Sequence, residues 1–290
     1  MSDFDYFAPR RLGEAVSLLR RYGKKAALLA GGTDLMLRVE RRAVTPGVVV
    51  DLKQIPDLRG LKSSRDGLRI GSLTLMEEIC SAPSVRKRYA LLAAAAGFVG
   101  SIQTRNRATL GGNLCNASPA ADTPPALIAL AATVKIAGGK RAREVPIEDF
   151  FLGPGKTCLH AGELVKEIFI PSPARRSAGS FQRSTRTAMD IALVNCAVFL
   201  CLEPRGEIIR DVRIALGAVA PTPLRVQSAE ESLRGRKGDV EEIAKAVERA
   251  DASASPIDDV RASASYRREM VRVLTQRAII AALRQAKGET

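Results

Sequence analysis

Two diglycine stretches constrain this chain more than any other feature of its sequence. Residues 27–37 read Ala-Leu-Leu-Ala-Gly-Gly-Thr-Asp-Leu-Met-Leu: an apolar strand, a Gly31-Gly32 turn, Thr33 and Asp34, then a helical start. Residues 109–122 read Thr-Leu-Gly-Gly-Asn-Leu-Cys-Asn-Ala-Ser-Pro-Ala-Ala-Asp and precede an apolar helical run from Pro124 to Ala132. Paired glycines let a backbone turn and come close to a ligand. Polar caps ahead of an apolar run leave N–H groups free at a helix start, which suits a phosphate. Either stretch alone reads as a tight strand-to-helix turn. Two of them in one chain read as a clamp on an anionic cofactor.

The segments around these turns alternate strand and helix. Leu12, Ala15, Val16 and Leu19 fall at helical spacing before Tyr22-Gly23. Residues 48–52 and 68–73 read as strands, with Thr74 and Glu77 spaced as a capping box for the next helix. Residues 89–98, rich in alanine and leucine, read as a helix. Pro124-Pro125 stand where a helix tolerates proline, in its first turn. Strands follow at 133–137, 143–146 and 163–171, the first two joined by a Gly138-Gly139-Lys140 hairpin. Residues 171–177 read as a linker, which sets a domain boundary near residue 176. Beyond it come strands at 195–202 and 211–216, helices at 229–233 and 240–250, a loop at 252–264, and a final helix with Met270, Leu274, Ala278 and Ala281 at helical spacing.

Several chemistries are excluded. The single histidine, His160, lies in a turn-rich segment, which argues against triad-type catalysis. None of the five cysteines forms a CxxC pair, so neither zinc nor iron–sulfur ligation is indicated. Gly153-Pro154-Gly155-Lys156-Thr157 lacks the upstream glycine of a P-loop, since that position is Phe150. The net charge of +14 is spread along the chain, with four Tyr and no Trp for base stacking. It reads as a solvated basic surface or a face for an acidic subunit rather than as a nucleic-acid site. No apolar run reaches the ~18 residues of a membrane span, and the acidic start lacks a signal-peptide core, so a cytoplasmic location is expected.

Ala-Gly-Gly-Thr-Asp-Leu at 30–35 and the whole 109–122 stretch resemble the two FAD-binding signatures of the flavoprotein subunit of molybdenum hydroxylases. That family includes the xanthine dehydrogenase FAD subunit and the carbon monoxide dehydrogenase medium subunit. The similarity extends over nearly the whole chain, through Gln103-Thr104-Arg105-Asn106, the aromatic-Gly segment 150–153, the 179–195 segment and the 217–223 turn. The implied fold is α+β: a PCMH-type FAD-binding domain of two α/β subdomains at 1–175, followed by a smaller α+β C-terminal domain at 176–290. The implied cofactor is FAD, with no metal and no catalytic side chain.

By this resemblance Leu28, Ala30, Gly31, Gly32, Thr33, Asp34 and Leu35 bind FAD together with Ile102, Thr109, Gly111, Gly112, Asn113 and Ser118. The glycine turns serve the pyrophosphate. Asp122 accepts from a ribitol or ribose hydroxyl, and its spacing before Pro124 also fits a helix cap. Val165 falls near the adenine end. Gln182 stands where some relatives have Lys, and Ile191 borders the isoalloxazine ring, where an aliphatic side chain leaves room for NAD; a core Ile would look the same. The implied function is an electron relay from [2Fe-2S] centres through FAD to an acceptor such as NAD or quinone. The implied partners are a small [2Fe-2S] subunit and a large molybdopterin-binding subunit, assembled as a dimer of heterotrimers. Two other readings stay open: a stand-alone PCMH-type FAD oxidoreductase, and a flavin-free assembly or binding module.

Overall fold

The computed structural model describes residues 3–139 and 141–289. Its first unit is a parallel sheet flanked by short helices. The elements run β1 (Asp5–Phe7), α1 (Leu12–Tyr22), β2 (Ala26–Leu29), α2 (Leu35–Glu40) and β3 (Val48–Asp51), with strand order β1-β3-β2. Three consecutive valines make β3 apolar on both faces, as the central strand of a covered parallel sheet must be. Ala15 and Leu19 of α1 pack into the same cluster. The helix stops at Gly23, whose φ of 52° is open to glycine at little cost.

The second unit is antiparallel. It begins with β4 (Leu61–Ser63) and β5 (Gly67–Gly71), then a run of helices: α3 (Met76–Ser81), α4 (Pro83–Arg88), α5 (Ala90–Gly97), α6 (Ile102–Arg105), α7 (Leu110–Asn116) and α8 (Thr123–Ala129). It closes with β6 (Thr133–Ala137), β7 (Arg143–Pro146), the hairpin β8 (Phe151–Gly153) and β9 (Lys156–Thr157), and β10 (Leu164–Pro171). The five-stranded sheet has the order β4-β5-β10-β6-β7. Lys140 of the expected β6–β7 hairpin lies outside the described residues. The Gly-Pro-Gly-Lys-Thr segment forms the β8–β9 hairpin, so it is not a phosphate loop between strand and helix.

The last unit is a sheet of β11 (Ser177–Ser184), β12 (Val194–Leu202), β13 (Ile209–Gly217) and β14 (Leu224–Arg225), followed by α9 (Gln227–Leu233), α10 (Val240–Ser253) and α11 (Ala264–Lys287). Alternation along β12 decides its two contacts. Val194, Cys196, Val198 and Leu200 join the cluster beneath α11, whereas Ala197 faces the cluster that holds α5 and α8. The sheet is therefore covered on both sides. The buried stripe of α11 is Val271, Leu274, Ala278 and Ala282, so Met270 and Ala281 flank it rather than centre it.

Two caps differ from the sequence reading. Thr74 does not cap α3; its hydroxyl bonds both the N–H and the carbonyl of Gly60, each at 3.1 Å. The helix starts one residue later, and Glu78 reaches back to the Leu75 N–H at 2.8 Å. Asp122 precedes α8, yet its carboxylate makes no cap and turns toward β11 and β12.

Candidate functional site

A cavity of about 420 Å³ opens where the three units meet. Its first wall is the C-terminal end of β2 and the turn into α2. Leu28, Ala30, Gly31, Gly32, Thr33, Asp34 and Leu35 all line it. Gly32 has φ +82°, a left-handed conformation that favours glycine. Gly31 is needed for a different reason: a Cβ there would lie 2.1 Å from the Arg107 carbonyl oxygen. Among the described residues, none accepts a hydrogen bond from the five consecutive N–H groups of Gly31 through Leu35. Consecutive unpaired N–H groups at a turn and helix start form a concave anion site.

The second glycine pair is built differently from the turn expected of it. Gly111 and Gly112 lie inside the first turn of α7, with Thr109 as its cap. The N–H of Leu110 bonds Thr74 O at 3.0 Å, that of Gly111 bonds Ser72 O at 2.8 Å, and that of Gly112 bonds Thr109 Oγ1 at 3.1 Å. These donors are satisfied within the chain. Gly111 lets α7 sit against the preceding turn, because a Cβ would come 2.6 Å from Ser72 Cβ. The wall presents side chains instead: Thr109, Asn113 and Ser118 line the cavity with Gly112. Asn116 Nδ2 donates to Asp34 Oδ1 at 3.1 Å and ties the two glycine stretches together. Burial pushes the Asp34 carboxyl up, against the opposing effects of Arg38 and Thr33.

Asp122 lies at the junction with the last unit. It is 6% exposed, accepts from Asn195 Nδ2 at 3.1 Å, and has Arg183 Nε 3.4 Å from its Oδ1. Burial pushes its pKa up to about 6, although Arg183 and the Asn195 hydrogen bond both pull it down. The third wall carries Arg183, Met189, Asp190 and Ile191.

Four of the expected residues do not line the cavity. Gly111 faces Ser72. Val165 is buried in β10 between β5 and β6. Ile102 is 61% exposed on α6. Gln182 donates to Ser180 Oγ at 3.0 Å, on the strand face opposite Arg183. Arg183, on the other face, lines the cavity. Phe181 and Arg183 are two apart on a strand, so they share a face, and both meet Phe98. Arg38 also lines the cavity and was missed, since a single Arg inside a helix gives no local signal. His160 does not line it, and no metal-binding group of His, Cys, Asp or Glu occurs among the described residues.

Comparison with known proteins gives a consistent result. The family model for the FAD binding domain in molybdopterin dehydrogenase matches residues 2–173. The model for the CO dehydrogenase flavoprotein C-terminal domain matches residues 179–282. The chain is 36% identical over 279 residues to the carbon monoxide dehydrogenase medium chain of Hydrogenophaga pseudoflava, covering 96% of each chain. It is 32% identical over 293 residues to the xanthine dehydrogenase FAD-binding subunit of Escherichia coli O157:H7, covering 100% of this chain and 99% of that one. Among solved structures, carbon monoxide dehydrogenase from Hydrogenophaga pseudoflava superposes with a TM-score of 0.93 at 36% identity over 96% of each chain. Quinoline 2-oxidoreductase from Pseudomonas putida 86 superposes with a TM-score of 0.91 at 32% identity over 98% of each chain.

Proposed function

Because this chain belongs to the family of FAD-binding medium subunits of the molybdenum hydroxylases, we propose that it relays electrons from the [2Fe-2S] centres of a partner subunit, through FAD, to an acceptor such as NAD or quinone. The observation that carries this reading is the row of five unpaired N–H groups from Gly31 to Leu35, residues that line a cavity to which all three units contribute. These donors fit a pyrophosphate, which needs several N–H groups and little bulk nearby. Arg38 adds a positive charge at the same wall. Thr109, Asn113 and Ser118 offer polar side chains to the middle of an extended ligand, and the Asp122 carboxylate accepts from one of its hydroxyls. Met189 and Ile191 provide apolar contact at the far edge. FAD itself supplies the redox chemistry, and the chain supplies binding, orientation and electrostatics.

This role requires no acid–base or nucleophilic side chain in the cavity. The expected assembly adds a small [2Fe-2S] subunit and a large molybdopterin-binding subunit, as a dimer of heterotrimers in the cytoplasm. The division into domains at 1–175 and 176–290 is supported by the two spans matched, 2–173 and 179–282. The test is an absorption spectrum of the purified chain before and after denaturation, followed by affinity purification from cells producing all three subunits. Released FAD and recovery of two further chains support the reading. A colourless chain that takes up no added FAD, alone or in the assembled complex, refutes it.

A further inference from the structure

Arg183 bridges segments of the cavity wall that come from different units of the fold. Its side chain is 4% exposed, so its N–H groups need acceptors inside the protein. Nη1 donates to the Phe98 carbonyl at 2.7 Å, and Nη2 donates to the Asp190 carbonyl. The guanidinium also lies over the Phe98 ring, 5.4 Å from its centroid. Nε is buried without a hydrogen bond, 3.4 Å from Asp122 Oδ1. One side chain therefore joins three segments of the cavity wall: the end of α5, the 185–191 loop, and the floor at Asp122.

We propose that Arg183 is a positioning residue of the cavity, a clasp that holds the 185–191 loop against α5 and so sets how far Met189 and Ile191 stand from the bound cofactor. The loop has few other ties. The Arg186–Asp190 ion pair, at 2.9 Å, lies within the loop, as does the Asp190 N–H to Thr187 O bond. Met189 is 66% exposed and Ile191 41%, so apolar packing does little to fix them. The two carbonyls are reached by the fork of one guanidinium; a lysine ammonium is a compact point charge on a flexible stem and does not reproduce it. The clasp itself is a property of the chain; only its effect on the cofactor rests on the FAD reading.

The test uses the full chain with Arg183→Lys and Arg183→Met. The first readout is limited trypsin cleavage after Arg186 in the cofactor-free protein, normalised to cleavage at the exposed Arg41–Arg42 segment. Release of the loop raises that ratio at least tenfold in both variants, because both lose the fork. Global destabilisation raises both rates and leaves the ratio unchanged. The second readout is the pH profile of FAD affinity. Asp122 faces Arg183 from β11 and the neutral Asn195 from β12, so loss of the cation in Arg183→Met moves the midpoint of the profile upward, while Arg183→Lys keeps it near wild type. A cleavage ratio within twofold of wild type in Arg183→Lys overturns the clasp. A pH profile that Arg183→Met leaves unmoved overturns its electrostatic part. If wild-type chain takes up no FAD, the cofactor reading fails, while the cleavage arm still decides the clasp.

Discussion

Replacing Gly31 by alanine tests the join between the two glycine stretches. The new Cβ would sit 2.1 Å from the Arg107 carbonyl oxygen, 2.8 Å from its carbon and 3.1 Å from Ala108 Cα. All three are backbone atoms, so no side-chain rotation relieves the clash. The segments must part by about 1 Å or more to reach ordinary contact distance. Overpacking of this kind costs about 1–3 kcal/mol, which lowers the melting temperature of the cofactor-free chain by roughly 2–10 °C. The same displacement moves the donors of residues 31–35 away from the α7 wall. Loss of one hydrogen bond to a charged group, about 1.5–3 kcal/mol, weakens FAD binding about tenfold to a hundredfold. Gly13→Ala is the matched control, since a Cβ there meets nothing within 4 Å and the position is helical; alanine should be neutral or stabilising by up to about 1 kcal/mol. Thermal melts without cofactor and fluorescence titrations with FAD measure both quantities. A Gly31→Ala chain with an unchanged melting temperature and a Kd within twofold of wild type refutes the argument.

Other predictions concern charge. With the Asp122 pKa raised to about 6, ionisation strengthens its acceptance from a cofactor hydroxyl, so FAD affinity should rise between about pH 5 and 7, and Asp122→Asn should flatten the profile in titrations across that range. The same shift affects the cofactor-free chain in the opposite sense. The folded state keeps the Asp122 proton to higher pH than the unfolded state, so its contribution is full below about pH 4 and is lost as pH rises through 6, by at most ~3 kcal/mol; chemical denaturation of Asp122→Asn at pH 4 and 7 should lack that difference. Arg38→Ala should weaken FAD binding about threefold to tenfold, with the loss shrinking in 0.5 M salt as screening grows. Burial pushes the Cys196 thiol up to about 12, so it should resist iodoacetamide at pH 8, and mass spectrometry should find it alkylated only after denaturation.

Strong local patterns predicted the framework well. Three valines in β3, two prolines opening α8, and apolar spacing in α1 each have one economical structural solution, and the chain adopts it. Readings failed where distant partners decide the outcome. Thr74 has the spacing of a cap, but Gly60 offers its hydroxyl both a donor and an acceptor. Asp122 precedes a helix, yet it turns to Asn195 and Arg183, which lie more than 60 residues on. Both glycine pairs looked like open turns. Only the first leaves its N–H groups free, because the second docks on Ser72 and Thr74, contacts that no local window contains. Arg183 went unread for a related reason: its importance comes from two carbonyls, and backbone oxygens leave no mark on a sequence.

The contacts across the floor of the cavity also bear on when the site can come into being. Asn195 reaches Ala121 O and Asp122, and the Ala218 N–H bonds Pro119 O at 2.7 Å. The strands that supply them are covered in turn by α11, the last helix. During synthesis, the donors at residues 31–35 emerge first and wait for more than 200 further residues before the opposite wall can form. At about 5–20 residues per second, that interval lasts on the order of ten seconds or more. Cofactor uptake therefore waits on the folding of the last unit, and a polypeptide truncated before α11 should be recovered from cells without flavin however intact its glycine turns are.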